Sequence, residues 1–163
     1  QKGLVHMTKY EKTLDEANKL GLSVKEKELK SNADALICGN KIALNKKKSL
    51  TTNEKNWYLT EEIGHYKTGV GNIVTQETME NRKQERRGRL YSYNKCIGLT
   101  GIIDAAKNHH VGSYDIAEFL EVPEARLLEA VEEYRQIYGK GKMVDNYFVQ
   151  FEPFLAVYEY QII

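Results

Sequence analysis

Residues 57–69 read WYLTEEIGHYKTG, and this run predicts one helix around which the rest of the chain can be organised. Thr51 and Glu54 have the spacing of a capping box, so the helix should begin near Thr52. Gly69 is a natural stop for it. We therefore expect one capped helix of about four turns.

The polar and apolar residues of this helix fall on different faces. Residues four apart lie one turn apart, so Glu61 and His65 should point the same way. Glu62 is about 100° around from Glu61, yet it is three residues before His65 and should lie beside that pair. An apolar stripe should anchor the helix to the core: Leu59, Ile63 and Tyr66.

The composition is that of an ordinary globular protein. The chain has 163 residues and a formal net charge of +1, which suits one domain over residues 1–163 without global steering towards nucleic acid or membranes. No apolar run approaches the length of about 20 residues that spans a bilayer. Cys38 and Cys96 are too few for a disulfide framework. We expect a cytoplasmic protein.

Before the capped helix, the pattern predicts a helix and a small antiparallel sheet. Residues 4–20 have helical spacing. Residues 35–38 and 41–44 are apolar runs around Gly39-Asn40, which is typical of a tight hairpin. Residues 24–29 predict a third, more polar strand at the edge.

After the capped helix, the chain is mainly helical, so the fold class should be α+β. A long helix should run from Gln76 to about Lys95, and a short one over residues 99–106. Residues 113–138 predict two helices around Val122-Pro123, like a helix-turn-helix hairpin. Within residues 143–160, strands are expected at 144–151 and 154–160.

Two features could suit nucleic acid, but each has a plainer interpretation. The long helix is basic through its middle. This could be a phosphate-binding face, but the plainer interpretation is a solvated face with acidic partners such as Glu80. The helical hairpin could contact DNA, but residues 124–129 are acid-rich and phosphate would repel them. Binding to nucleic acid is therefore not expected. The basic residues are Arg82, Lys83, Arg86, Arg87 and Arg89.

Glu61-Glu62-Ile63-Gly64-His65 has the form of the zinc-protease motif H-E-x-x-H with the first histidine replaced by glutamate. In that motif two ligands one turn apart hold the metal, and the glutamate is the general base. The motif alone is a weak signal, because a histidine near the end of a helix also interacts favourably with the helix dipole.

The order of elements resembles the ImmA/IrrE family of metallopeptidases over about residues 30–100. A hairpin precedes the motif helix, and a second helix carries Glu85-Arg86-Arg87-Gly88-Arg89-Leu90-Tyr91 in place of the family pattern E-x-x-A-x-x-F-A. The most similar members are the small ones of phages and integrative elements of Gram-positive bacteria. The resemblance implies a mainly helical, zincin-like core.

The resemblance also implies roles for individual residues. His65 matches a metal-binding histidine, Glu62 the catalytic glutamate and Glu85 the downstream metal-binding glutamate. Gly88 stands where the family has alanine, and Leu90-Tyr91 is a looser match to the aromatic-small pair. Glu61 replaces the first histidine, which is the main departure.

Three outcomes are open for Glu61. It could bind the metal in a Glu-His-Glu set, turn away and leave two ligands, or belong to a polar cluster without metal. Glu61, Glu62 and Glu85 in one pocket would repel one another unless a cation or a proton compensates. We expect a divalent ion held by Glu61, His65 and Glu85: Zn²⁺ first, with Mn²⁺ or Fe²⁺ open because the set is rich in oxygen.

The expected function is that of a metal-dependent endopeptidase. By the resemblance, the substrate would be a helix-turn-helix repressor of the same mobile element, whose cleavage induces that element's genes. The alternative is a non-catalytic anti-repressor that binds its partner on the same fold. The residue that stabilises an oxyanion stays open among His109, His110, Tyr66 and Tyr91.

Overall fold

The chain divides into two compact units, residues 1–89 and 90–163, and the boundary falls inside a helix that spans Met79–Cys96. The computed structural model describes residues 6–69 and 79–161. Helices combine with two three-stranded sheets, which confirms the α+β class. The zincin-like core and the single domain over 1–163 stay predictions. Among the described residues, no helix has the length and apolar character needed to cross a membrane.

The first unit contains the capped motif helix that the sequence predicts. Its elements are α1 (Lys9–Lys19), β1 (Ser23–Lys27), β2 (Ala35–Cys38), β3 (Lys41–Asn45), α2 (Thr52–Lys67) and the first half of α3 (Met79–Cys96). The capping box of α2 is formed: Glu54 N donates to Thr51 Oγ1 at 3.3 Å, and Thr51 N donates to Glu54 Oε2 at 2.8 Å. The predicted starts at Leu4 and Gln76 lie outside the described residues, but the prediction of helix over residues 6–8 is wrong, because Thr8 caps α1 and the helix begins at Lys9.

The sheet of the first unit has the order β1-β3-β2. The predicted hairpin is confirmed, with β2 and β3 antiparallel around Gly39-Asn40. The prediction of an antiparallel sheet is wrong for β1, which pairs with β3 in parallel. Strand β3 buries Ile42 and Leu44 at 1 % exposure each, and it takes the centre, where both of its edges are hydrogen-bonded.

Buried Asn45 secures the connection that makes this order possible. Its amide Nδ2 donates to Ala33 O at 2.8 Å, and its Oδ1 accepts from Leu29 N at 3.3 Å and from Lys47 N at 3.1 Å. One side chain thereby satisfies backbone groups in the loop between β1 and β2 and in the segment that follows β3.

Helix α2 packs against α1 and against the sheet. Leu59 and Ile63 are buried as predicted, and Thr13 Oγ1 of α1 donates to Asn56 Oδ1 of α2 at 2.7 Å. Tyr66 does not join the buried stripe, since it is 43 % exposed. The last turns of α2 bury Gly64 and His65 instead.

The second unit contains the predicted helical hairpin and three strands. Its elements after α3 are α4 (Gly98–Lys107), α5 (Ser113–Leu120), α6 (Glu124–Tyr138), β4 (Gly141–Val144), β5 (Tyr147–Gln150) and β6 (Ala156–Glu159). The single strand predicted at 144–151 is wrong. Asp145 adopts φ 51°, which aspartate tolerates, and Asp145-Asn146 turns β4 back onto β5.

Candidate metal centre

Three side chains from two helices converge in the first unit. Glu61 and His65 project from α2, and Glu85 projects from the first half of α3. One potential ligand atom of each lies within 4.8 Å of those of the other two. The structure therefore brings together the three residues that the sequence predicted as metal ligands, although Glu85 is 20 or more positions away along the chain.

The imidazole of His65 faces Glu85. Its Nε2 lies 3.8 Å from Glu85 Oε1. This distance is too long for a hydrogen bond, but it would suit an ion pair between a protonated imidazole and the carboxylate. In a tetrahedral zinc site, bonds of about 2.1 Å place neighbouring ligand atoms about 3.4 Å apart. The His65–Glu85 spacing exceeds this value by only tenths of an ångström, so this group of three residues could hold a metal ion.

Gly88 allows α3 to approach the His65 ring. A Cβ atom at position 88 would lie 2.5 Å from His65 Nδ1 and 2.7 Å from Cε1, closer than side chains pack. The alanine that the resemblance implies at this position would push the ring away. Nδ1 is buried and has no hydrogen-bond partner among residues 6–69 and 79–161, whereas Nε2 is the ring nitrogen that faces Glu85.

Glu62 lies beside this cluster in an unusual electrostatic environment. The pKa of Glu62 is raised from 4.5 to about 8, mainly by burial and further by the negative charges of Glu61 and Glu85. The backbone N–H of Ile37 donates to the carboxylate and opposes this shift. Without a cation, Glu62 therefore keeps a proton at neutral pH, which is one of the two compensations expected for crowded acids.

The contact between Ile37 and Glu62 joins the sheet to the site. Ile37 belongs to β2, an edge strand among the described strands, and it pairs with Ile42 of β3 on its other side. Sequence reasoning missed this contact. The one feature of the sequence that could have indicated this contact is the position of the hairpin shortly before the motif helix.

The remaining predicted residues have local surroundings. His110 Nδ1 lies 2.9 Å from Asp115 Oδ1, and its ring centroid is 4.6 Å from that of Phe119, all within the second unit. Tyr66 is an exposed residue of α2, next to His65 in sequence. Tyr91 and His109 lie in the second unit. The oxyanion-stabilising residue stays unassigned.

No family model, curated protein or solved structure matches this chain. The geometry of the Glu61–His65–Glu85 cluster and the chemistry of its residues are therefore the basis on which a function can be proposed.

Proposed function

We propose that this protein is a cytoplasmic, metal-dependent endopeptidase with a zincin-like core of the ImmA/IrrE type. Its substrate would be a helix-turn-helix repressor of a phage or mobile element, which it cleaves to induce that element's genes. The observation that carries the proposal is the convergence of Glu61, His65 and Glu85 within 4.8 Å, with Glu62 beside them. Two carboxylates and one imidazole form a donor set that divalent metals accept.

The residues divide into ligands and a proton carrier. Glu61, His65 and Glu85 would hold the ion, with zinc the first candidate and manganese or iron as alternatives that the two carboxylates also suit. A divalent ion in this position supplies polarisation of the scissile carbonyl and acidifies water. Glu62 is not needed as a ligand, which leaves its carboxyl group available for proton transfer.

Glu62 would act as general base and then as general acid. It accepts one proton from the attacking water while the water oxygen bonds to the carbonyl carbon, and it returns that proton to the amide nitrogen as the C–N bond breaks. For the first step Glu62 must be ionised at neutral pH, so its pKa must fall from the value of about 8 that it has without a cation. Neutralising the charges of Glu61 and Glu85 removes two of the causes that raise it.

The edge of β2 offers a place for the peptide substrate. An extended peptide that adds to this edge would run beside Ile37, whose N–H already reaches Glu62. Main-chain hydrogen bonds to β2 would then hold the scissile bond close to the carboxyl group of Glu62.

Metal content and cleavage test this proposal together. Purified chain loaded separately with zinc, manganese and iron should retain about one ion, and Glu61→Ala and His65→Ala should lose it. Glu62→Gln should keep the metal yet slow repressor cleavage by about 10²–10⁴-fold. The isosteric change Glu132→Gln on α6 serves as the control. A wild-type chain that retains none of the three metals would refute the enzyme proposal.

A second candidate is a non-catalytic protein that binds the repressor without cutting it. Two features favour it: glutamate replaces the first histidine of the motif, and the pKa of Glu62 without a cation is raised to about 8 by burial and neighbouring acids. Under this alternative, Glu62→Gln keeps the full inducing effect in cells. Loss of induction together with loss of cleavage would exclude it.

A further inference from the structure

The first half of α3 carries exposed cations that form no ion pair with the part of the chain that the structure describes. Arg82, Lys83, Arg87 and Arg89 are exposed, and none of them has an ion pair with any residue in the ranges 6–69 and 79–161. We call these four residues the basic arc. Unpaired cations at this density are unusual on a helix, since acids three or four positions away commonly pair with them.

The arc borders the metal centre. At 100° per residue, its four members span about 160° of the helix surface, and Arg89 lies about 40° from Glu85. Glu85 has the i,i+4 spacing that could pair it with Arg89. Its carboxylate instead lies 3.8 Å from His65 Nε2, and no ion pair joins it to Arg89.

The composition of the arc favours planar anions. Three of its four members are arginines, whose guanidinium groups bind carboxylates and phosphates in a bidentate way. A nucleic acid carries a phosphate about every 3.4 Å along each strand, and it would also meet the acids Glu61, Glu62 and Glu85. An acidic peptide can carry its negative charges where they face the arc and stay uncharged where it passes these three acids. The surroundings therefore favour a peptide.

We propose that the basic arc binds acidic side chains of the peptide substrate that flank the scissile bond. The inference rests on the proposed function for the nature of the substrate. Arg82 and Arg89 are seven residues apart, or about 10 Å along the helix, which about three residues of extended peptide span. The arc would select substrates with two acids three or four positions apart.

Binding without cleavage tests this inference. Two short fluorescent peptides differ only in two residues three positions apart, which are glutamates in one and glutamines in the other. The chain carrying Glu62→Gln should bind the glutamate peptide about tenfold more tightly at about 50 mM salt, and the preference should shrink at about 300 mM. Adding Arg82→Glu and Arg89→Glu should abolish the preference.

A matched control has the same change in net charge. Lys12 and Lys30 are exposed lysines of the first unit, also without ion pairs among the described residues. Lys12→Glu with Lys30→Glu should keep the preference for the glutamate peptide. Equal loss in both double variants would show a general charge effect and would overturn the inference.

Three further outcomes separate the proposals. A duplex oligonucleotide that binds more tightly than the glutamate peptide, and that the arc variant no longer binds, would overturn the inference in favour of nucleic acid. Cleavage of the repressor with no preference between the two peptides would refute the arc and leave the peptidase. A preference without any cleavage would support the arc and refute the peptidase.

Discussion

Helix α6 and the α2–α3 pair contain the same kinds of charged residue but use them differently. On α6, Arg126 pairs with Glu129 at 2.8 Å and Arg135 pairs with Glu132 at 2.7 Å, both at i,i+3 spacing. On α3, four exposed cations lack such pairs among the described residues, and Glu85 turns to His65. Local pairing neutralises two arginines on α6, whereas the four cations of the basic arc on α3 keep their charge without a paired acid among the described residues.

The two regions also differ in the pKa values of their glutamates. Hydrogen bonds from Arg135 and Gln136 lower the pKa of exposed Glu132 to about 2, while burial and neighbouring acids raise that of Glu62 to about 8. The pKa of a glutamate is therefore below its ordinary value on α6 and above it on α2, because the two side chains have different neighbours.

The largest effect is expected from Glu62→Gln on the stability of the metal-free protein. The folded pKa of about 8 lies above the ordinary value of 4.5, so the folded chain holds a proton that the unfolded chain releases. Wild-type stability should therefore be full below about pH 4.5 and should fall by about 2–4 kcal/mol as the pH rises towards 8. The glutamine variant has no such proton and should escape this loss.

Urea unfolding with a chelator, over about pH 5 to 9, measures the difference. Glu132→Gln is the matched control, and its curve should follow that of the wild type across this range. Parallel curves for Glu62→Gln and wild type would contradict the buried, crowded environment of Glu62.

An intermediate effect is expected from Gly88→Ala. The added methyl group meets the His65 ring, so the ring must shift and metal affinity should fall about tenfold or more. Helix propensity alone would favour alanine by about 1 kcal/mol, so the variant should remain folded.

Competition with a chromogenic chelator measures the affinity of the Gly88→Ala variant. Gly101→Ala on α4 is the control, since its methyl group would meet only Leu120 Cδ2, at 3.1 Å. Unchanged affinity in the Gly88 variant would mean that His65 is not a ligand or that its ring moves freely.

The smallest effect is expected from Glu132→Gln on stability. Its pKa is lowered to about 2 from 4.5, so its contribution is present above about pH 4.5 and is lost as the pH falls towards 2. Because the carboxylate is exposed, the change in melting temperature should be slight at neutral pH and absent at low pH. A large change at neutral pH would mean that α6 depends on this pair more than an exposed contact allows.

Local patterns predicted much of the fold. The capping box at Thr51 and Glu54, the Gly39-Asn40 hairpin and the Val122-Pro123 helical hairpin each depend on residues a few positions apart, and each is present. The errors involve pairing or turns that such patterns miss. The parallel contact of β1 depends on which strand takes the centre of the sheet, and the β4–β5 turn depends on a left-handed Asp145.

The sequence by itself determined the relation of Glu61, Glu62 and His65, because helix geometry sets the spacing of residues three and four apart. Only the tertiary structure decided what surrounds them. It brought Glu85 to His65, placed Gly88 against the imidazole and directed the Ile37 N–H to Glu62. These contacts join residues about 20 or more positions apart, and they depend on how α3 and β2 pack against α2, which no local periodicity encodes.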